Sequence, residues 1–377
     1  MKIAIVSHLR FPIAEPFAGG LEAHTHQLAT KLTERGHDVT VFGAPGTQGN
    51  FKVIRCNNAA HTLPDELERE AGIAKGYNAI YDRIEASNFD LIHNNSLNHV
   101  PMIRAGKART PSVQVLHSPL LPYCKAAAAT IREQGDPRLI AVSAMTADEW
   151  RSSFPVQNVV PNGVDLMRWR YSSRPVPNMV AYAGRIVPEK GVHLAIQAAK
   201  LANKQMLIAG PVADQDRAYY DEQIAPLLDE QRRYVGHLTR QETAHLMSNA
   251  ECFVFSSTWN EPFGLVLAES LACGTPIAGF DVGAAREVLD DQTSVLVPKG
   301  DINALAEAMT TAAQLDRAVC RRKAAAEFSV DTMIDRYEDI YRDEFRRHTT
   351  KRTPVLVGVE SLTMATPSTG TPLRSQV

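Results

Sequence analysis

The stretch MVAYAGRIVPEKGVHLAIQAAKLA (residues 179–202) decides how this chain folds. Its opening, MVAYAG (179–184), is a short apolar run of strand length. A polar loop, GRIVPEKG (184–191), follows, and VHLAIQAAKLA (192–202) then has helical spacing. Strand, short loop and helix in that order make one unit of a parallel sheet. Just upstream, YSSRPVPN (171–178) is rich in Pro and Ser. Proline removes helix donors and stiffens the backbone, so this segment reads as a linker. The alternation therefore restarts here, and what precedes it is a separate α/β unit.

That earlier unit has the same grammar. KIAIVS (2–7) reads as a buried strand, Gly20 to Arg35 as a helix stopped by Gly36, and DVTVFG (38–43) as the next strand. FDLIHN (89–94), SVQVLH (112–117) and RLIAVS (138–143) continue the strands. After the linker, QMLIAG (205–210), RYVGHL (233–238), ECFVFSS (251–257) and TPIAGF (275–280) follow MVAYAG. The expected fold class is α/β, with two Rossmann-like parallel-sheet domains facing across a cleft. The boundaries read as 1–170 for the first domain, 171–178 for the linker and 179–329 for the second domain. VDTMIDRYEDIYRDEFRRH (330–348) is a charged amphipathic helix expected to cross back to the first domain. Residues 349–377, rich in Thr, Ser, Pro and Gly, read as a disordered tail.

Bulk numbers agree with two domains. A length of 377 residues suits two units of ~150–200 each. Forty Lys and Arg nearly balance 42 Asp and Glu, which disfavours a broad nucleic-acid footprint. Five scattered cysteines without a C-x-x-C pair suit a reducing compartment. The start MKIAIVSHLR lacks signal-peptide features, and no run approaches the ~18 apolar residues of a membrane span. A cytoplasmic location is expected, with peripheral membrane contact left open.

Three segments carry candidate chemistry. FAGGLEAH (17–24) opens the first helix, where Gly19 and Gly20 let backbone N–H groups approach an anion. A tight packing turn is the plainer account of it. In GRIVPEKG, Arg185 and Lys190 at a strand's carboxyl end suit a diphosphate, against the bland reading of a solvated loop. EPFGLVLAESLACG (261–274) enters a helix through Pro262 and Gly264. Backbone N–H groups at Phe263, Gly264 and Leu265 then point beyond the helix start, while Glu269, further in, can accept from a vicinal diol such as a ribose. Asp214 and Asp216 read as helix-start charge rather than a metal site, and His24 and His26, two apart on a helix, share no face.

These motifs, with His117 after a first-domain strand, PNGVD (161–165) and DVGAAREV (281–288), resemble the retaining glycosyltransferases of family four, which have the GT-B fold. The resemblance spans roughly residues 1 to 345. It implies that Glu269 binds the nucleotide ribose, that Glu261 faces the donor sugar, and that Arg185 and Lys190 neutralise the diphosphate with Gly19, Gly20 and the 263–265 backbone. His117 would lie beside the anomeric carbon and the acceptor; a core histidine at a strand end is the bland alternative. The base would stack near Gly236, His237 and Leu238.

The implied activity is metal-independent, retaining transfer from a nucleoside-diphosphate sugar to a hydroxyl acceptor, with no cofactor. UDP-sugars are favoured as donor, with GDP-mannose as the alternative. Loops 8–18, 57–66, 93–99 and 117–124 would contact the acceptor, which is a saccharide, a lipid-linked sugar or a natural product. A non-hydrolysing sugar-nucleotide epimerase and a non-catalytic nucleotide-sugar sensor are the rival readings. A nicotinamide dehydrogenase is disfavoured because no G-x-G-x-x-G fingerprint is present.

Overall fold

The computed structural model describes residues 1–352 other than Asn58 and Asp136, with side chains through residue 350. The first half carries seven strands: β1 (Lys2–Ser7), β2 (Asp38–Gly43), β3 (Lys52–Arg55), β4 (Leu91–Asn95), β5 (Ser112–Leu116), β6 (Arg138–Ala141) and β7 (Asn158–Val159). They form one sheet in the order β3-β2-β1-β4-β5-β6-β7. The second half carries β8 (Met179–Ala183), β9 (Gln205–Ala209), β10 (Arg232–Gly236), β11 (Cys252–Phe255), β12 (Ile277–Phe280) and β13 (Ser294–Val297), ordered β10-β9-β8-β11-β12-β13. All pairings within both sheets are parallel. Each order reverses beside its first strand, and ligands of such sheets collect at the strand carboxyl ends near that reversal.

Strand side chains alternate between faces, so one sheet feeds two cores. Ile3 and Ile5 of β1 pack with Leu28 and Leu32 of the Gly20–Glu34 helix, in a core that also takes Tyr337 and Tyr341. Ala4 and Val6, on the other face, pack with Tyr77, Tyr81 and Ile84 of the Glu66–Glu85 helix.

The terminal helix, Val330–Arg352, lies on the first half. Arg35 reaches Asp331, Asp335 and Glu338, His37 pairs with Glu338 at 3.1 Å, and Arg138 holds Asp343 at 2.7 Å. The helix extends past the boundary read at residue 348. Thr349 and Thr350 donate their hydroxyls to the carbonyls of Phe345 and Arg346, so the polar residues that read as a tail continue the last turns instead. The rest of that segment, from residue 353, lies outside the described residues.

The chain crosses between the halves twice, and the crossings run side by side. Val164 N–H donates to the Phe328 carbonyl at 2.8 Å, and Val330 N–H donates back to the Val164 carbonyl at 2.9 Å. The segment read as a linker is stapled down rather than free. Val176 N–H donates to the Asn249 carbonyl, and Arg317 donates to the carbonyls of Ser172, Ser248 and Ala250.

The crossing has no room for a side chain at Gly163. A Cβ there would lie 2.6 Å from Val330 Cα and 2.9 Å from the Ser329 carbonyl oxygen. Gly163→Ala should therefore lower stability by about 1–3 kcal/mol through overpacking. Thermal unfolding measures the loss, and amide exchange should show it concentrated at the crossings and the terminal helix. An unchanged melting temperature would remove this constraint.

Candidate active site

The two sheets present their strand carboxyl ends to a shared cleft of about 540 Å³. Its position follows from two helix starts that face each other. Gly20, at the first turn of one helix, sits so near Leu265 of the other that a Cβ on it would come within 3.9 Å of the Leu265 side chain. Gly264 caps the Leu265–Ala272 helix in the left-handed region at φ 75°, a conformation that favours glycine. The first-turn N–H groups of both helices lack partners within their own helices, and their dipoles favour negative charge.

Lys190 is placed by a second tight approach. Gly191 adopts φ 61°, and a Cβ on it would lie 2.2 Å from the Ser256 carbonyl oxygen. Ser256 and Ser257 hydroxyls donate to the carbonyls of Lys190 and Glu189, fixing the 188–190 turn on the loop after β11. From there the Lys190 ammonium forms a short ion pair with Glu261, whose same oxygen accepts the Ser257 hydroxyl at 2.9 Å. Glu261 is itself held from behind. Its carbonyl accepts the Ala284 N–H at 3.0 Å, and Gly283 passes so close that a Cβ would sit 2.3 Å from the Glu261 nitrogen. The DVGAAREV segment thereby sets the height of Glu261 in the cleft.

Arg185 also lines the cleft but is substantially exposed, touching Glu189 at 3.5 Å. Glu269 lies half-buried in the wall. Burial pushes its carboxyl up to about 7, with the Arg240 charge working in the opposite direction. Burial lowers the Arg240 guanidinium; its plane lies 5.3 Å over Phe17 of the first half. His237 and Leu238 line the cleft, and His237 Nε2 is 3.2 Å from the Phe17 carbonyl. Gly236 is not on that lining; at φ 88° it turns its carbonyl to the Gly210 N–H.

Across the cleft, His117 lines the wall with Nε2 3.1 Å from Asn95 Oδ1. His24 lies edge-on to it at 4.6 Å, buried, with neither ring nitrogen hydrogen-bonded. Burial drives the His24 pKa down to about 3, and burial together with His24 and His93 holds His117 well below the usual imidazole range. Both rings are therefore neutral at ordinary pH. His26 faces elsewhere, between Phe17 and Phe51.

Two further residues were not singled out in the sequence, although His8 falls in the 8–18 loop expected to contact the acceptor. His8, just after β1, makes a short hydrogen bond to Glu22 in the first turn of the first helix. Burial pushes the Glu22 carboxyl up, but the His8 hydrogen bond and charge outweigh it and hold the group below its usual range. A carboxylate there opposes an anion at Gly19 and Gly20, both of which line the cleft. The available signal was position, since both residues sit at the strand end and helix start where such sheets gather ligands. Glu287 was also missed: its carboxylate accepts the N–H groups of Ala144 and Met145 at 2.6 and 2.8 Å, joining the two halves. Asp214 and Asp216 open a short 3₁₀ turn off the cleft lining, and no cluster able to hold a metal occurs among the described residues.

Comparison with known proteins places this geometry. The chain is 27% identical over 404 aligned positions to a glycogen synthase of Mycobacterium tuberculosis, covering 90% of this chain and 94% of that one. It is 28% identical to a D-inositol 3-phosphate glycosyltransferase of Mycolicibacterium paratuberculosis, covering 93% and 92%. Among solved structures, a sucrose-phosphate synthase from Thermosynechococcus elongatus superposes with a TM-score of 0.76 at 20% identity, over 92% of this chain and all of that one. Anabaena HepE in complex with UDP-glucose superposes at 0.72 with 22% identity, over 91% and 100%. A family model described as Glycosyltransferase Family 4 matches residues 18–168, and one described as Glycosyl transferases group 1 matches residues 165–327. With its two parallel sheets facing across one cleft in the GT-B arrangement, the chain belongs to the family 4, group 1 glycosyltransferases.

Proposed function

We propose that the protein transfers a sugar from a nucleoside-diphosphate sugar to a hydroxyl acceptor, with retained anomeric configuration and without a divalent metal. The observation that carries this reading is the Lys190–Glu261 pair, set beside two facing helix starts in one cleft. A diphosphate entering there meets Lys190, Arg185 and the N–H groups before Leu265. A sugar attached to it meets Glu261, and a ribose meets Glu269. The solved complexes of HepE with UDP and with UDP-glucose support a UDP-sugar as donor.

Departure of the nucleoside diphosphate places new negative charge on the leaving phosphate oxygen. Preorganised cations and helix-end dipoles stabilise that charge at no reorganisation cost during the reaction. The sugar left behind is oxocarbenium-like. His117, neutral and beside the sugar position, adds no positive charge against it. With no side-chain nucleophile required, the leaving oxygen takes the acceptor's proton on the same face of the sugar, and configuration is retained.

The direct test is a thermal-shift panel of UDP-, GDP- and ADP-sugars, with and without a chelator. A selective, chelator-insensitive rise identifies the donor, and the anomeric configuration of the transferred sugar reads out retention. No response to any nucleotide sugar would sink the proposal, and an isomerised donor without acceptor would point to an epimerase.

The Lys190–Glu261 pair yields a sharper expectation. Lys190→Ala should reduce turnover about 100-fold or more while the protein stays folded, because it removes a cation aimed at developing charge. Glu261→Gln should instead tighten binding of UDP alone, by freeing Lys190, yet still lower turnover. Calorimetry and steady-state kinetics separate the two effects. Equal changes in both variants would refute distinct roles.

Glu269 adds a pH dependence. In the free protein its carboxyl titrates near pH 7, and accepting two ribose hydroxyls favours the ionised form. Donor affinity should then fall by about tenfold for each pH unit below the pKa, with proton release on binding around neutrality. Buffer-dependent calorimetry with UDP measures this, and the slope should vanish in Glu269→Gln. A slope that persists in that variant would assign the titration elsewhere.

A further inference from the structure

Behind His117 runs a chain of buried polar side chains that begins on the terminal helix. Tyr341 Oη is 2.6 Å from His93 Nδ1, His93 Nε2 is 3.0 Å from Asn95 Oδ1, and Asn95 Oδ1 is 3.1 Å from His117 Nε2. Asn95 Nδ2 donates to Thr25 Oγ1 at 3.2 Å, and its Oδ1 is the atom that faces both rings. Tyr341, His93 and Asn95 are all fully buried.

With Asn95 Oδ1 facing both rings, the direction of each bond in this chain follows. An amide oxygen carries no proton, so each imidazole nitrogen facing it must bear one. Asn95 Oδ1 therefore accepts two N–H groups, one from His93 and one from His117. A neutral imidazole has a single N–H, so Nδ1 of both rings is a lone-pair atom. For His93, that lone pair accepts the Tyr341 hydroxyl. For His117, Nδ1 makes no protein hydrogen bond among the described residues, and the ring lies on the cleft wall.

We propose that Tyr341, His93 and Asn95 are positioning residues that lock His117 in its Nε2–H tautomer, so that Nδ1 meets the substrate as a hydrogen-bond acceptor for a hydroxyl. The opposite tautomer would leave Asn95 Oδ1 facing a bare lone pair and present an N–H to the cleft. It would offer a substrate hydroxyl the wrong partner. Because Tyr341 belongs to the terminal helix, that helix is part of the support of the active site and not only a strap around the first half. His24, packed edge-on with both nitrogens unpartnered, blocks the ring from tilting without competing for its proton.

The kinetic part of the test rests on the proposed donor-binding function, whereas the spectroscopic part uses the ligand-free full chain and stands without it. With ¹⁵N-labelled histidine, long-range ¹⁵N–¹H correlation spectra should show His117 and His93 as Nε2–H tautomers. Asn95→Ala should convert His117 to a mixture of tautomers. It should also lower kcat for UDP release from UDP-glucose by about 10–100-fold, with KM nearly unchanged, as for a lost orienting contact.

Asn95 is buried, so Tyr341→Phe, which removes one hydroxyl, is the second variant. It should shift the resonance of His93 Nδ1, whose lone pair loses the hydroxyl, and lower kcat by about a few-fold. An Nδ1–H form of His117 in the wild type would overturn the proposal. So would spectra and kcat that are unchanged in Tyr341→Phe, or in a folded Asn95→Ala.

Discussion

The relative placement of the two halves depends on a pair of backbone hydrogen bonds at Val164, where the outgoing and returning crossings lie against each other. A chain that crosses once leaves its domains free to swivel about a single bond. Two crossings joined by Val164–Phe328 and Val330–Val164 bonds restrict motion to bending about the line they share. Gly163 makes this approach feasible, and Arg321 reinforces it by donating to the carbonyls of Leu166, Trp169 and Ala272. Because the returning crossing becomes the terminal helix, the hinge and the tyrosine–histidine chain behind His117 are carried by one continuous element. Opening the cleft about this hinge has definite contacts to break: Glu287 on Ala144 and Met145, Thr146 on the Pro262 carbonyl, and His237 on the Phe17 carbonyl. Each is a polar contact whose groups water can satisfy if the cleft opens.

Much of this architecture was legible because parallel strands buried on both faces read as unbroken apolar runs. KIAIVS, DVTVFG and QMLIAG fall on β1, β2 and β9 with at most one residue of difference. The strands that escaped are short or peripheral. β3 is KVIR, whose four residues are exposed or half-buried at a sheet edge; β7 has two residues; and β13, SVLV, closes the edge of the second sheet. An edge strand is buried on fewer sides and needs less apolar sequence, so its signal is weak in the chain alone. The helix entry at Gly264 was legible for a different reason. Proline and glycine flanking a helical pattern have few conformational alternatives, and the left-handed cap at Gly264 is one that glycine favours.

The site divides along the same line. Residues that act through the backbone around them, such as Lys190 after its turn and Glu269 on its helix, could be placed from local pattern. Residues that act through a distant partner could not. His93 and Tyr341 are 248 positions apart, and nothing in LIHNN or DIYRD announces that they meet. Glu22 was hidden by its surroundings, since a glutamate in a helix's first turn is usually explained by the helix dipole alone. Only the fold shows that it faces His8 across the strand end.

Under the proposed function, the Lys190–Glu261 pair links electrostatics to selectivity. Both groups are largely withdrawn from water, and a partly buried charge separated from its partner is costly. A diphosphate that draws Lys190 away leaves Glu261 with only the Ser257 hydroxyl. A sugar hydroxyl arriving with the diphosphate compensates that loss, because it supplies Glu261 with a new donor at the moment the lysine leaves. A nucleoside diphosphate without its sugar supplies nothing. The same exchange then works in reverse after transfer: once the sugar has gone, Glu261 competes with the product diphosphate for Lys190. On that proposal, an ion pair that looks like a static contact in the free protein would favour the intact donor on entry and weaken the hold on the product, using one carboxylate for both steps.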